Sequence, residues 1–374
     1  MASSERTRRI TDIAVIAMFL AAISLPLFGK LLSLESAFAL TENRRPAPFP
    51  TIELKGWSLV SFPQRFERYW NDSFAFRRYL IRWHSLAKLW LGVSPSPKAI
   101  LGKDGYLFYA AEQSVDYFRG VKPLAPSGLA RWRRDLESRQ AWLAKRGIRY
   151  LVVIPPNKET IYPENMPPEL RPVRPESRLD QLLAELRANS NVEVIDLRNA
   201  LRQAKKEVRI YHKTDTHWND AGALVAYRAI LARLHAWFPD MNDAPRPGSL
   251  KTELGRGGDL AQLMALEDRF PEERIEFVPA APRRAHEVPE DPIVASSPAD
   301  VVAMECRGCG GPRAIMFQDS FNTNLAPLLA EHFSRILFVD GARLDPALME
   351  RERPDIVIQE FVERKLMCLD LREC

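Results

Sequence analysis

The residues of this chain whose types and spacing could do acyl chemistry are Asp215, His217 and Ser320. Asp215 and His217 stand two apart in an extended stretch, Thr214-Asp215-Thr216-His217-Trp218-Asn219, so their side chains point the same way. A carboxylate so placed can hold an imidazole in one tautomer and stabilise it when charged, which is the rear half of a Ser-His-Asp triad. The nucleophile has to come from elsewhere in the chain. Ser320, in Gln318-Asp319-Ser320-Phe321, is expected where a strand gives way to a helix. In an α/β sheet that carboxyl end of a strand is where ligands bind. A serine hydroxyl is a weak nucleophile alone, and an imidazole in reach takes its proton as the oxygen attacks. The N–H of Ser320 could then stabilise the oxyanion.

Each of these residues also has a plainer role. Ser320 could cap a helix. Asp215 and His217 could bind a metal with His212 upstream, or His217 could be a satisfied core residue. Asn157 follows Val153-Ile154-Pro155-Pro156 at the carboxyl end of an expected strand. Its amide could reach the oxyanion, or it could be a turn residue. Lys158 could meet an acidic substrate, and Trp218 could brace the imidazole or face a sugar. Arg256, Gly258 and Asp259 could line the cleft, as could Glu360 and Arg364, for which surface pairing is the plainer account. No Gly-rich phosphate loop, zinc-finger pattern or RNA-binding signature is present. No metal, cofactor or nucleic-acid partner is expected.

The elements that must hold these residues are visible in the hydrophobic pattern. The run Arg149 to Ile154 reads as a buried parallel strand. Leu179, Leu182, Leu183 and Leu186 mark a helix over 177–188, and a short strand over 192–195 ends in Asp196. A helix follows over 197–206, with a further strand over 208–211 leading into the Asp-His stretch. Asn219 or Asp220 can cap a helix running to about Trp237. Ser127 to Arg146 is helical with Gly147 as its stop, and Lys98 to Tyr109 is a hairpin turning at Asp104-Gly105. Strands over 313–317, 335–339 and 355–359 and a helix over 325–333 complete the alternation. Strands alternating with helices define an α/β domain with parallel strands. Residues 239–300, rich in Pro, Glu and Arg, break the rhythm and read as an insertion.

Length and composition bound the rest. The 374 residues carry 46% hydrophobic residues and a formal charge of +5, which is normal for a globular protein with a real core. The excess charge is spread out, so it suits a solvated basic surface, an anionic polymer or a membrane more than a nucleic-acid stripe. Arg6, Arg8 and Arg9 precede an apolar run from Ile13 to Phe28. That order keeps the N-terminus in the cytoplasm and sends the rest outward. An uncleaved anchor is expected. The alternative is a signal peptide cleaved near Ala37-Phe38-Ala39. The resulting division is a membrane anchor or signal segment over 1–40, a linker and aromatic-rich helical segment over 41–97, and a catalytic domain over 98–374. The aromatics of 62–91 are expected to pack into a core, with sugar stacking by an exposed Trp as the alternative. In an oxidising compartment Cys306, Cys309, Cys368 and Cys374 could form two disulfides. Pairing within or between the two close pairs stays open, as do zinc or thiol redox chemistry for Cys306-x-x-Cys309.

At this point the chain resembles the alginate O-acetyltransferase family of the AlgJ and AlgX type, with its SGNH-hydrolase-like domain. The segments that carry the resemblance are Glu42-Asn43-Arg44-Arg45, Gly102-Lys103-Asp104-Gly105-Tyr106-Leu107-Phe108, Val153-Ile154-Pro155-Pro156-Asn157-Lys158, Asp215-Thr216-His217-Trp218-Asn219, Gly257-Gly258-Asp259-Leu260 and Gln318-Asp319-Ser320-Phe321. The resemblance implies a three-layer domain with a central, mostly parallel sheet and a circularly permuted motif order, the His block before the Ser block. It implies Ser320 as nucleophile, His217 as base and Asp215 as its orienter. It also implies a periplasmic O-acetyltransferase at the inner membrane, acting on an exported polysaccharide, with a multi-pass membrane acyltransferase supplying acetyl groups. Gln318 stands where the serine block usually has Gly. The chain ends soon after its last expected strand, which points to the AlgJ arrangement without the carbohydrate-binding module of the AlgX type. The rival functions are a carbohydrate acetylesterase with the same triad and a non-catalytic polysaccharide-binding assembly subunit.

Overall fold

A computed structural model of the chain describes residues 2–31, 47–51, 57–73, 75–241, 247–296 and 300–371. The chain divides into two compact units, Met1–Ser96 with Gln262–Leu266, and Pro97–Ala261 with Glu267–Cys374.

The first unit contains helices Ala2–Leu31, Trp57–Ser73 and Arg77–Trp90. Among the described residues no helix is long and apolar enough to cross a membrane. The expected single-pass anchor is thus not shown by helix Ala2–Leu31. Its first turns carry Glu5, Arg6, Arg8, Arg9 and Asp12, and the apolar run that remains before Lys30 falls short of the about 20 residues a span needs. The Ala37-Phe38-Ala39 site and most of the tether lie outside the described residues. In helix Trp57–Ser73 the rings of Phe62, Phe66 and Trp70 stack in series at 5.9 and 6.2 Å, the spacing that brings neighbouring turns together. The expected core packing fails further on, where Trp83 and Trp90 are 68% and 86% exposed.

The second unit opens with a hairpin of β1 (Ala99–Leu101) and β2 (Leu107–Tyr109). Its turn has Asp104 at φ 55° and Gly105 at φ 78°, the left-handed pair that a tight hairpin needs. The remaining strands are β3 (Arg149–Ile154), β4 (Val194–Asp196), β5 (Gly248–Gly255), β6 (Glu272–Pro279), β7 (Ala285–Glu287), β8 (Val301–Cys306), β9 (Arg313–Gln318), β10 (Arg335–Asp340) and β11 (Ile356–Glu360). Seven form one sheet in the order β4-β3-β11-β9-β10-β8-β7. The five from β4 to β10 run parallel, and β8 and β7 add an antiparallel edge. β5 and β6 pair separately over eight residues each.

Side chains alternate across this sheet, as strand geometry requires. Tyr150, Val152, Ile154, Ile315, Phe317 and Leu337 face a layer holding Trp132, Leu136, Leu182 and Leu348. Leu151, Val153, Met316 and Phe338 face the opposite layer, which holds Leu201, Tyr227, Leu231 and Leu328. Helices Pro126–Ala144, Arg178–Asn189 and Pro346–Glu352 supply the first layer, and Arg198–Ala204, Asp220–Trp237 and Ala326–Leu329 the second. Burial on both faces explains why the parallel strands read as continuous apolar runs. The strand expected over 208–211 is instead a single bridge between Tyr211 and Trp218. The helix expected over 325–333 is one α-turn and a 3-10 turn. A disulfide joins Cys306 to Cys309. Cys368 is also disulfide-bonded.

Candidate active site

Ser320 lies two residues beyond the end of the parallel strand β9, with Asp319 between it and Gln318. The Asp319 carboxylate builds the turn, accepting the N–H of Phe321 at 2.9 Å and of Val362 at 2.8 Å. Its own N–H donates to Glu360 Oε2 at 2.8 Å. Burial pushes the Glu360 carboxyl well above the usual range, and the Asp319 charge adds to this. Gln318, where a Gly was expected, donates to Asp340 at 2.7 Å and accepts from Asn322. The turn leaves the Ser320 side chain exposed.

His217 Nε2 lies 2.8 Å from Ser320 Oγ, and His217 Nδ1 lies 2.7 Å from Asp215 Oδ1. The three expected residues thus meet in a linear relay. Asp215 Oδ1 also accepts the N–H of His217, and Oδ2 accepts the N–H of Asp259 at 2.9 Å. Burial alone would raise the Asp215 carboxyl, but His217 and these N–H groups hold it well below the usual carboxylate range. Burial works against a charged His217, yet the bond to Asp215, its charge and that of Asp259 raise it above the ordinary imidazole value. The pair is thus tuned so that a proton arriving on Nε2 is stabilised.

The loop that presents Asp215 is held from three sides. Lys158 is only 2% exposed, and its ammonium donates to the carbonyls of His212, Lys213 and Asp215 at 3.2, 3.0 and 2.6 Å. Burial lowers it to about 8. It positions this loop, so the expected contact with an acidic substrate is corrected. Glu272 accepts the N–H of Lys213 and both the N–H and hydroxyl of Thr214. Burial opposes its charge, but the His212 ring and these donors bring it down to about 2. Asp259 Oδ1 accepts the N–H of Thr216 at 2.7 Å. Gly258 packs so closely that a Cβ there would lie 2.4 Å from Asp215 Cβ, which only glycine tolerates.

Trp218 is 1% exposed and does not face a sugar. Its indole N–H donates to the carbonyl of Phe321 at 3.0 Å and its ring meets Phe321 edge-on. The His217 ring also meets Phe321 edge-on, at 5.0 Å. Phe321 therefore locks the histidine block to the serine block. Asn219 caps the helix that follows, through Gly222 N–H at 3.2 Å.

Asn157 is buried at the end of β3. Its N–H donates to Glu363 at 2.9 Å, and Arg364 donates to its Oδ1 at 3.2 Å. Its Nδ2 is buried with no hydrogen-bond partner among the described residues, so the amide has a free donor. The Arg364 guanidinium lies 5.8 Å from the Phe321 ring centroid, which brings Asn157 to the serine's end of the sheet. Glu360 and Arg364 are both buried, which corrects the expected surface pair. Arg256 pairs with Glu267 and is exposed. Asp215, His217 and Asp259 lie close enough to share a cation, but their oxygens already accept the N–H groups named above. Glu272 and Glu363 were missed by sequence reasoning. No local pattern marks them, because their partners are far away in the chain.

A serine hydroxyl relayed through an imidazole to a carboxylate, at the strand ends of a three-layer α/β domain, defines the class of serine-dependent acyl-group enzymes. Comparison with known proteins makes this specific. The family model described as SGNH hydrolase-like domain, acetyltransferase AlgX matches residues 99–303, and the chain belongs to that family. It is an O-acetyltransferase of SGNH-hydrolase type with a mixed central sheet. The match includes Asp215 and His217 and ends before Ser320. The probable alginate O-acetylase AlgJ of Pseudomonas aeruginosa is 26% identical over 370 residues, covering 86% of this chain and 88% of that protein. Its namesake in Pseudomonas putida is 30% identical over 181 residues, 46% of this chain and 44% of that one. Among solved structures, the O-acetyltransferase domain of Pseudomonas putida AlgJ is 20% identical with a TM-score of 0.44, covering 72% of this chain and 91% of that chain.

Proposed function

We propose that this chain is a periplasmic enzyme that O-acetylates hydroxyls of an exported polysaccharide, alginate-like or another exopolysaccharide, through an acetyl-Ser320 intermediate. The observation that carries this reading is the relay Asp215–His217–Ser320, at 2.7 and 2.8 Å. His217 Nε2 takes the Ser320 proton as Oγ attacks the acetyl carbonyl of the donor. The bond from that carbonyl to the donor's leaving atom breaks, and His217 returns the proton to it. A sugar hydroxyl then attacks the acetyl ester, giving its proton to His217. Oγ leaves and recovers that proton. The N–H of Ser320 and the free Nδ2 of Asn157 hold the oxyanion. Arg364 supports this by occupying Asn157 Oδ1, which leaves the amide nitrogen as the end that is free to donate.

The placement of the Asp-His block ahead of the serine block supports a circularly permuted SGNH motif order. The division into anchor or signal segment, linker with helical segment, and catalytic domain is part of the same reading. The basic N-terminus ahead of an apolar run supports export and attachment at the inner membrane, or a soluble periplasmic form after cleavage. In that compartment no acetyl-CoA is at hand, so a multi-pass membrane acyltransferase is the source of acetyl groups. The names of the AlgJ relatives support a polyuronate acceptor.

The test is an acetyl-ester assay with and without an oligosaccharide acceptor. The reading expects acetylated oligosaccharide to form, with release of free acetate falling as acceptor is added. Acetate release that ignores the acceptor, with no acetylated sugar, identifies an esterase instead.

A further inference from the structure

Arg364 stands just beyond the end of β11, at the strand ends where the Ser320 turn and Asn157 also lie. It is 7% exposed, and a guanidinium so buried normally has its donors taken up. Nε donates to Glu112 Oε2 at 3.0 Å and Nη1 to Asn157 Oδ1 at 3.2 Å. Nη2 has no partner among the described residues, and it is not sealed from solvent. The planar group lies against two rings, 5.0 Å from the Tyr109 centroid and 5.8 Å from that of Phe321.

The turn that supplies its carboxylate partner is strained. Glu112 and Gln113 hold φ at 52° and 58°, left-handed backbone that is rare for residues with a side chain. Ser114 is fully buried and ties this turn down, donating its hydroxyl to the Tyr109 carbonyl at 2.6 Å. Strain of this kind persists where the surroundings enforce it, and it clusters at ligand sites. Here it delivers the carboxylate that fixes Nε.

The charge of Arg364 is only partly matched. Lys365 Nζ lies 3.5 Å from the same Glu112 oxygen, so two cations share one carboxylate. Burial pushes Glu159 up to about 7 and raises Glu360 and Glu363 as well, which favours their neutral forms. Asp215 and Asp259 sit on the Nδ1 side of His217, whereas Nε2 meets Ser320. His217 and Arg364 rest on the same Phe321 ring, at 5.0 and 5.8 Å. A cationic donor with a free N–H end therefore flanks the serine.

We propose that Arg364 Nη2 binds the carboxylate of a uronate residue in the acceptor, and so selects an anionic sugar chain over a neutral one. This rests on the transferase reading above and adds the group by which the acceptor is recognised. The planar guanidinium suits a carboxylate. With a sugar hydroxyl at His217 and a carboxylate at Arg364, the acceptor is held in one register for attack.

The test measures transfer from an activated acetyl ester to a short oligouronate, and to the same oligomer with its carboxylates converted to primary amides. Wild type is expected to prefer the oligouronate by at least about 10-fold in kcat/KM, the factor one charge-assisted hydrogen bond carries. Arg364→Gln is expected to abolish that preference, and Arg364→Lys, which keeps the charge without the fork, to retain part of it. Both acceptors meet the same acetyl-Ser320, so the ratio cancels any loss that comes through Asn157. Glu112→Gln loosens Nε without removing the guanidinium; it is expected to narrow the ratio, and it serves if Arg364→Gln does not fold. A preference that wild type lacks, or that survives in Arg364→Gln even with slower transfer to both acceptors, overturns the proposal. If neither oligomer is acetylated, the transferase reading fails by itself. Recognition is then read from the inhibition constants of the two oligomers against acetate release, with the same ratios expected and the same results overturning it.

Discussion

The ammonium of Lys158 donates to the backbone carbonyl of Asp215 at 2.6 Å, from the far end of the turn that follows β3. A residue just beyond the end of one parallel strand thereby fixes the loop that carries the carboxylate of the relay. Replacing Lys158 with Met keeps the apolar stem but takes this donor from the carbonyls of His212 and Asp215, while that of Lys213 keeps the N–H of Leu107. The cost of leaving such groups without a donor is about 1–3 kcal/mol. Urea unfolding is expected to show that loss, with acetyl transfer falling more steeply than stability. An unchanged kcat in Lys158→Met would show that the loop holds itself.

The Asp215–His217 pair sets the pH dependence. His217 acts as a base when neutral, and its value is raised above the ordinary imidazole value, so the acid limb of the kcat/KM profile is expected above pH 6.5. Asp215→Asn removes the main source of that rise. The limb is expected to move to lower pH while kcat drops by about 10³–10⁴-fold. Stability runs the other way. A raised folded value means the pair's contribution is full below the unfolded pKa of about 6.5 and is lost as pH rises through the folded value. A limb that stays in place in Asp215→Asn would sever the two residues functionally.

Gly258 leaves room for nothing more than a hydrogen where it meets Asp215. Gly258→Ala is expected to push the Asp215 carboxylate off His217, at a cost of about 1–3 kcal/mol in stability. Activity is expected to fall by at least about 10-fold, through loss of oriented base. Thermal unfolding and kcat measured on the same preparation check both parts.

Glu360 is 1% exposed beneath the serine turn, with its carboxyl pushed well above the usual range by burial and by the Asp319 charge, which favours its neutral form. A neutral carboxyl is mimicked by an amide. Glu360→Gln is therefore expected to cost less than about 1 kcal/mol, whereas Glu360→Ala orphans the Asp319 N–H and costs about 1–3 kcal/mol. Equal, large losses in both variants would mean that the carboxyl is ionised in the folded protein.

Much of this site was legible because its signals are local. Asp215 and His217 carry theirs in two residues of extended chain, and Ser320 follows an apolar run that could only be a buried strand. Asn219 was readable as a cap for the same reason. What was hidden depends on partners far away. Glu272 completes the Asp215 loop from a stretch whose charge and proline content read as irregular, and β5–β6 formed there because the two segments pair with each other. β8 was missed because Val301 to Cys306 alternates weakly and joins the sheet only as its antiparallel edge. Lys158 read as a ligand contact because a lone lysine normally reaches water, and only its burial under three carbonyls reveals a structural cation. The exposed Trp83 and Trp90 were expected to be buried, since indole area usually stabilises a core. Sequence gives the spacing of such a face but not which side of the helix the protein covers.

The central claim is that the acetyl group passes through Ser320. Its most direct test is peptide mass mapping of the full chain after brief reaction with an activated acetyl ester and acid quench. Acetylation is expected on the peptide containing Ser320, absent in Ser320→Ala and strongly reduced in His217→Ala. It is also expected to be discharged when an oligosaccharide acceptor is added before the quench. An acetyl group found elsewhere, or transfer to the acceptor that continues in Ser320→Ala, would contradict the account.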